Sequence, residues 1–320
     1  MSPPAGFPRR LLTKPLAGVA LLWLAAMLVG AGGAPWLAPY DPLDQDLLMV
    51  KQLPSAEHWL GTDAIGRDVL SRVLHGALPT FIGVAQALAV VSLLGISLGI
   101  SAGYFGGRTD ALVSQWVNLA QSLPNIVILL AVLTVFNRSM TAAMFTLGVP
   151  GCAGITRVLR SATLGVRGEL YIEAARISGL TDTAIILRHV LPRIVGPLIV
   201  QLSLFAALAV IVQTGISFLG LGIAPPAPTW GGRIFEALAS LNDFPWLLLP
   251  SSGVVTLTLL PMDVYANAVG LAFHFVSDRS TFSAIFEQGH DPAQVQAARH
   301  ACIVDTIERQ VAAPGVASSG

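Results

Sequence analysis

Few residues of this sequence are arranged for catalysis or for metal binding. The two cysteines, Cys152 and Cys302, lie in an apolar run and in a polar tail, and neither CxxC nor HExxH occurs. The six histidines form no cluster with ligand spacing, so we predict no catalytic residue, metal site or cofactor. The sequence has no Gly-x4-Gly-Lys-Ser/Thr phosphate loop, so we expect ATP binding of the usual kind to be absent.

The most concentrated charge lies in the segment "EAARISGLTDTAIILRHVLPRI", Glu173 to Ile194, which places five charged residues between two apolar runs. Apolar residues recur at helical spacing on both sides of Gly179, at Leu170, Ala174, Ile177, Ile185, Ile186 and Val190. The pattern predicts two short helices joined by the hinge "SGLTD". Because Ala174 and Ala175 are small, we expect the first helix to offer a surface that another protein can approach closely.

The hinge combines the signals of a helix end and a helix start. Gly179 can take the positive φ of a helix end, and Thr181 or Asp182 can cap the second helix. We expect Pro192 to end that second helix before the next apolar run. The alternative interpretation is an ordinary loop that only bridges two apolar segments.

The chain as a whole is strongly apolar. Hydrophobic residues make up 54% of its 320 residues and charged residues 11%, and the mean hydropathy is +0.70. Soluble domains carry roughly a quarter charged residues, so this composition predicts a membrane protein in contact with lipid. The formal net charge is zero, and no basic excess indicates a nucleic-acid partner.

Six apolar runs are long enough to cross a bilayer, and backbone groups in lipid must be paired internally, so we predict an all-α membrane protein with about six transmembrane helices. The third run is interrupted by polar residues and a proline. The runs are approximately Leu16–Leu37, Thr80–Tyr104, Leu112–Phe136, Met140–Leu159, Ile194–Phe218 and Trp246–Phe273. We interpret the first as an uncleaved helix rather than as a secretory signal.

The basic residues predict the orientation. With the N-terminus inside, thirteen of the 18 Lys and Arg residues fall on the inner side and five on the outer side, which favours both termini in the cytoplasm. The predicted organisation is a cytoplasmic N-terminus, a transmembrane domain with two outer segments and one inner loop, and a divergent cytoplasmic tail. The N-terminus comprises residues 1–15, the transmembrane domain residues 16–273 and the tail residues 274–320. Within the transmembrane domain the two outer segments are residues 38–78 and 219–245, and the inner loop is residues 161–193.

The first outer segment contains "HWLGTDAIGRDVLSRVLHGA". Gly61 to Asp63 is typical of a turn, and a short amphipathic helix is predicted after it, with Val69, Leu70, Val73 and Leu74 on one side. The second outer segment is a Pro/Gly-rich turn region that cannot be a regular span. We expect the first segment to cap the membrane domain.

The inner loop carries a recognisable motif, which is Glu-Ala-Ala, three residues, Gly, and then Leu-Pro twelve residues after that Gly. It resembles the coupling motif of ABC import permeases, whose paired short helices dock in a cleft of the ATP-hydrolysing subunit. The resemblance implies an ATPase contact at Glu173, Ala174, Ala175, Gly179, Leu191 and Pro192. His189 departs from the isoleucine that is frequent at its position.

Other stretches, "HWLGTDAIGRDVLSRVLHGA", "AGYFGGRTDALV", "SLP" and "TGISFLGLGIAPPAPTWG", look like the second permease of dipeptide, oligopeptide and nickel importers. The resemblance covers about Pro35 to Gly253 and ends near Asn267. It implies a type I ABC importer permease in a bacterial inner membrane. The implied partners are a second permease, two ATP-binding subunits and an extracytoplasmic solute-binding protein.

Two other functions remain open from the residues alone. An ion-coupled secondary carrier normally buries ionisable residues in its spans, and Asp263 is the candidate for that role. A membrane scaffold that recruits a partner through the inner loop is the second alternative. The sequence does not distinguish dipeptides, oligopeptides and nickel as substrates.

Overall fold

The computed structural model describes the backbone of residues 15–262 and the side chains of residues 22–262. Three predictions lie outside the described residues: the cytoplasmic N-terminus, the end of the sixth span with Asp263, and the tail 274–320. The fold is therefore discussed from α1 to the helix that reaches Met262.

Within residues 15–262 the secondary structure is helical, with one isolated β-bridge between Thr62 and Asp68. The all-α fold predicted from the sequence is confirmed. In chain order the helices are α1 (Pro15–Gly32), α2 (Ala34–Leu37), α3 (Val69–Phe105), α4 (Gly107–Ser122), α5 (Asn125–Val135), α6 (Met140–Arg167), α7 (Leu170–Ile177), α8 (Asp182–Phe218), α9 (Trp230–Ala239) and α10 (Pro245–Met262).

Four of these ten helices are each long and apolar enough to cross a membrane. In the described part of the chain α3, α6, α8 and α10 meet this criterion singly, and α4 with α5 forms a fifth candidate span that is bent by 76°. Within α1, the residues whose side chains are described, Leu22–Gly32, make up a shorter apolar helix. The helices therefore supply four or five candidate spans besides α1.

The first outer segment differs from the prediction at its end. The expected short amphipathic helix is not separate, because α3 begins at Val69 and continues without a break into the second span. Asp68 caps it, since its side chain accepts a hydrogen bond from the Ser71 N–H. Pro79 lies inside the helix, and its carbonyl accepts a bond from the Gln213 side chain at 2.9 Å. One proline removes one backbone donor, and the long apolar helix tolerates that loss here.

The third span is broken at the sequence "SLP". α4 ends at Ser122, Leu123 is extended with φ −98° and ψ 136°, and α5 begins after Pro124. A residue before proline is disfavoured in the helical region, so Leu123 is pushed to extended geometry. The interruption predicted at Pro124 is therefore a sharp bend between two helices.

Three glycines allow α3 and α6 to pack closely. Gly95, Gly99 and Gly103 follow each other every four residues on α3. A Cβ atom at Gly99 would lie 2.8 Å from the Leu159 Cβ, and one at Gly103 would lie 2.7 Å from the Arg160 carbonyl. Small residues at this spacing let two helix backbones approach in a membrane. The packing of α3 against α6 is the most extensive contact between two helices in the described part of the chain.

The helices around the inner loop are longer than expected. α6 continues to Arg167, and α8 is unbroken, so the prediction that Pro192 ends the second helix is wrong. A π-turn at Ile186–Val190 precedes the proline, and the Leu191 N–H bonds to the Ile186 carbonyl. The wider turn comes directly before the residue that lacks an N–H, and the helix passes Pro192 without ending.

Candidate functional site

The predicted first helix of the inner loop is α7, and it packs only one of its faces. Ile172 and Ala175 are buried in the main apolar core. On the other side Leu170 is 82% exposed and Ile177 88% exposed, with exposed Ala174 between them. Residues at positions i, i+4 and i+7 share one face of a helix. We call Leu170, Ala174 and Ile177 the apolar stripe.

The six residues of the predicted coupling motif differ in their exposure. Glu173 is exposed beside Ala174. Ala175, however, is 8% exposed and belongs to the core, so its expected place on the free surface is wrong. Its small side chain instead lets α7 lie close to the membrane domain. Leu191 is half-buried and Pro192 exposed, and both lie on α8 after the π-turn.

The hinge has the geometry predicted for it. Gly179 has φ +80°, a left-handed conformation that favours glycine. The Leu180 N–H bonds to the Ala175 carbonyl at 3.2 Å, which closes the end of α7. Thr181 caps α8 by accepting a hydrogen bond from the Ala184 N–H. The positive φ and the threonine cap are thus both confirmed.

Asp182 does not cap α8 with its side chain but links the loop to the C-terminal end of α3. The Tyr104 hydroxyl donates to an Asp182 carboxylate oxygen at 2.6 Å and accepts from the Arg176 guanidinium at 3.3 Å. Tyr104 is 2% exposed, so this contact anchors both α7 and α8 to a buried side chain. The hydrogen bond to Tyr104 raises the pKa of Arg176 above its ordinary value.

Sequence reasoning missed the role of Tyr104. The residue lies within "AGYFGGRTDALV", a stretch that we used only for family resemblance. The available signal is that a tyrosine at the end of an apolar span needs a partner for its hydroxyl when it is buried. The partner lies 78 positions further along the chain, at Asp182.

A second cluster, also missed, joins the two predicted outer segments. Its two carboxylates and three guanidinium groups bridge the loop before α3, the start of α3 and α9. Arg67 Nε donates to Asp63 at 2.8 Å, and Arg233 donates to the same carboxylate oxygen at 3.2 Å. Arg67 and Arg72 donate to Glu236 at 3.1 and 3.2 Å. We call Asp63, Arg67, Arg72, Arg233 and Glu236 the outer charge cluster.

Burial makes the outer charge cluster electrostatically tight. Asp63, Arg67, Arg72 and Arg233 are each at most 6% exposed. Burial raises the pKa of Asp63, but the N–H groups of Ile65 and Arg67 and the neighbouring guanidinium charges outweigh it, so the pKa lies below its usual value. Burial lowers the pKa of Arg233, and the charges of Asp63 and Glu236 oppose that shift. Each of these buried charges therefore depends on its partners, because a buried charge left without a partner is costly.

These features define a multi-pass helical membrane protein with a short exposed helix between two spans and a buried ionic cluster that joins the start of α3 to α9. Comparison with known protein families identifies the class of this protein more closely. Residues 95–274 match the family described as binding-protein-dependent transport system inner membrane component. Residues 5–54 match the N-terminal transmembrane domain of oligopeptide transport permease C. The chain belongs to this family of permeases of ABC importers, as its resemblance implied.

Individual relatives cover most of the chain. The glutathione transport system permease protein of Pectobacterium atrosepticum is 31% identical over 82% of this chain and 88% of its own. The dipeptide transport system permease protein of Bacillus subtilis is 32% identical over 82% of both chains. The oligopeptide transport system permease protein of Mycobacterium bovis is 34% identical over 82% of this chain and 89% of its own.

Proposed function

We propose that this chain forms half of the translocation path of an ABC importer for peptides. A second permease forms the other half, two ATP-binding subunits dock on the cytoplasmic loop, and a solute-binding protein delivers substrate to the outer face. The membrane is the bacterial inner membrane, with both termini in the cytoplasm. The ATPase contact consists of the apolar stripe, Glu173 and the Gly179 hinge, with Leu191 and Pro192 at the base of α8.

The observation that carries the proposal is the apolar stripe. Leu170 and Ile177 are among the most exposed apolar side chains described, yet they lie on a loop that the basic residues assign to the cytoplasm. Burying one such side chain contributes about 1.5–3 kcal/mol. An exposed apolar face of this kind is typical of a protein interface.

The names of the relatives support peptides over nickel as the substrate. They refer to dipeptides, oligopeptides and glutathione. All three are chains of amino acids with free carboxylates. Because the solute-binding protein makes the first selection, the length of the peptide depends on that partner.

The geometry suggests how an ATPase moves the spans. Closure of the ATPases displaces α7, and the contact of Arg176 and Asp182 with Tyr104 transfers that displacement to α3. The continuous α8 carries the same displacement through the π-turn into the fifth span. The ATPase contact and the translocation path then bias the same two-state arrangement of the helices, as coupling between two sites requires.

The test is substitution of Ile177 by Ser in the assembled transporter. We expect the ATPase subunits to bind about tenfold more weakly, because one buried apolar side chain is lost, and peptide uptake to fall with them. Leu48→Ser is the matched control, since Leu48 is 91% exposed in the first outer segment. Wild-type ATPase binding by the Ile177 variant contradicts the docking assignment. Peptide-stimulated ATP hydrolysis by the wild type separates this function from an ion-coupled carrier and from a scaffold.

Orientation is tested by cysteine labelling in cells whose outer barrier has been opened. In the permease expressed without its ATPase subunits and carrying Cys152→Ala and Cys302→Ser, Leu48→Cys should react with a membrane-impermeant thiol reagent before lysis, and Ile177→Cys only after lysis. Both positions are exposed, so accessibility within the chain does not limit the reaction. The reverse pattern contradicts the cytoplasmic location of α7 and with it the proposed ATPase contact.

A further inference from the structure

The break in the third span leaves non-helical backbone near the middle of a predicted membrane crossing. Residues 121–127 are all exposed, and the bend between α4 and α5 is 76°. Irregular backbone at membrane depth is tolerated where protein covers it or where it lines a water-filled cavity, and not where it faces lipid. We therefore expect the backbone of this break to be covered by protein or to line a water-filled cavity.

The polar side chains of α4 that precede the break also favour contact with protein or water over contact with lipid. Asp110, Ser114, Asn118 and Gln121 stand at i, i+4, i+8 and i+11 of α4, so they share one face. Val113 and Val117 on a neighbouring face are buried. We call these four polar residues the polar stripe. Polar side chains within a span face the bundle interior or an aqueous cavity.

Two arginines of α6 meet the polar stripe, and only one of them is neutralised. Arg160 forms a bidentate ion pair with Asp110, one bond of which is 2.6 Å long. Arg157 is exposed and donates to the neutral Asn118 side chain at 3.1 Å. Within the described residues no carboxylate lies within ion-pair distance of Arg157. A cavity of about 310 Å³ opens between α4 and α6 beside both arginines.

We propose that the polar stripe lines the translocation path and that Arg157 binds the terminal carboxylate of a peptide in transit. The inference rests on the proposed function and names the part of the path that recognises the substrate. A guanidinium has five N–H donors in a planar fork that matches a carboxylate, and Asn118 occupies one of them. Asn118 orients the fork, and the Asp110 pair keeps Arg160 from competing for the same carboxylate.

The location of the polar stripe is tested without transport. In the assembled complex carrying Cys152→Ala and Cys302→Ser, Gln121→Cys is compared with Leu93→Cys, which replaces a residue of α3 that is 72% exposed. We expect a hydrophilic maleimide to label position 121 at least about tenfold faster, because the thiolate that reacts forms in water. Equal rates mean that the polar stripe is covered by lipid or by the second permease, and they overturn the inference.

The role of Arg157 is tested with one peptide in two forms, with a free C-terminal carboxylate and with a C-terminal amide. Arg157→Gln should lower uptake of the free acid about tenfold relative to wild type and change uptake of the amide little, since one charged hydrogen-bonded contact is lost. Arg157→Lys should restore most of the uptake of the free acid. Each variant is compared with wild type for the same peptide, so the selectivity of the solute-binding protein affects both measurements equally and cancels.

The outcomes separate this inference from the proposed function. Equal loss of both peptides, or no loss of either, overturns the carboxylate contact and indicates a structural role or a lipid phosphate at Arg157. If the wild type imports neither form, the peptide function is wrong and the carboxylate contact is overturned with it. The labelling comparison then still decides whether the polar stripe lines an aqueous path.

Discussion

Asp63→Asn tests whether the outer charge cluster stabilises the fold. The wild-type carboxylate accepts two charged bonds, from Arg67 Nε at 2.8 Å and from Arg233 at 3.2 Å. In the variant an amide N–H₂ group faces both guanidinium groups, while the other oxygen keeps its backbone bonds. Three arginines then share Glu236 alone. Breaking a buried ion pair costs about 3–5 kcal/mol.

Thermal unfolding of the detergent-solubilised complex measures this loss. At about 2–4 °C per kcal/mol for a domain of this size, Tm should fall by roughly 10 °C. Asp243→Asn is the control, because Asp243 is 71% exposed in its side chain and lies 3.7 Å from Lys51. Such a surface pair contributes about 0–1 kcal/mol. A Tm for Asp63→Asn within the range of the control refutes a stabilising role for the cluster.

The same variant has a pH signature. The pKa of Asp63 is lowered below 3.8 in the folded protein. Its ionised form therefore stabilises the fold fully above the unfolded pKa, and this contribution is lost as pH falls through the folded pKa. Asp63→Asn has no such group, so the difference in Tm between wild type and variant should be constant at neutral pH and shrink below about pH 4.

Three further substitutions, two of them paired with a control, test individual contacts. Gly179→Val should lower ATP-driven uptake at equal expression, because φ +80° costs a β-branched residue about 1–2 kcal/mol, whereas Gly179→Asn should retain most uptake. Tyr104→Phe removes the hydroxyl that holds the loop, so tryptic cleavage after Arg176 should become about tenfold faster. Gly99→Ala should lower Tm, since its Cβ would lie 2.8 Å from a leucine side chain of α6, and Gly154→Ala should not, since nothing lies within 4 Å.

Local signals made the hinge predictable from sequence. A positive φ at Gly179 and a cap at Thr181 depend on residues within one helical turn, and both were found as expected. The apolar spacing likewise predicted α7. It did not show which small residue faces outward, because the choice between Ala174 and Ala175 depends on the core beneath the helix.

Contacts between distant segments were not predictable in the same way. The carboxylate of Glu236 contacts Arg72 across 164 positions, and each residue alone is typical of a solvated surface. Helix continuity through Pro79 and Pro192 was also missed. A proline removes one backbone donor, and neighbouring packing or a π-turn decides whether the helix ends there.

The outer charge cluster and the contact of Tyr104 with Arg176 and Asp182 lie at opposite ends of one helix. α3 has 37 residues and is about 55 Å long, with Arg72 near its first turn and Tyr104 near its last. A bend is easiest at Pro79, but the Gln213 side chain bonds to that carbonyl. A displacement that enters at Tyr104 must therefore tilt α3 as a unit against α6 or break the contact with Gln213. In the first case the outer charge cluster moves together with α7 and the start of α8, so the two ends of α3 are mechanically coupled.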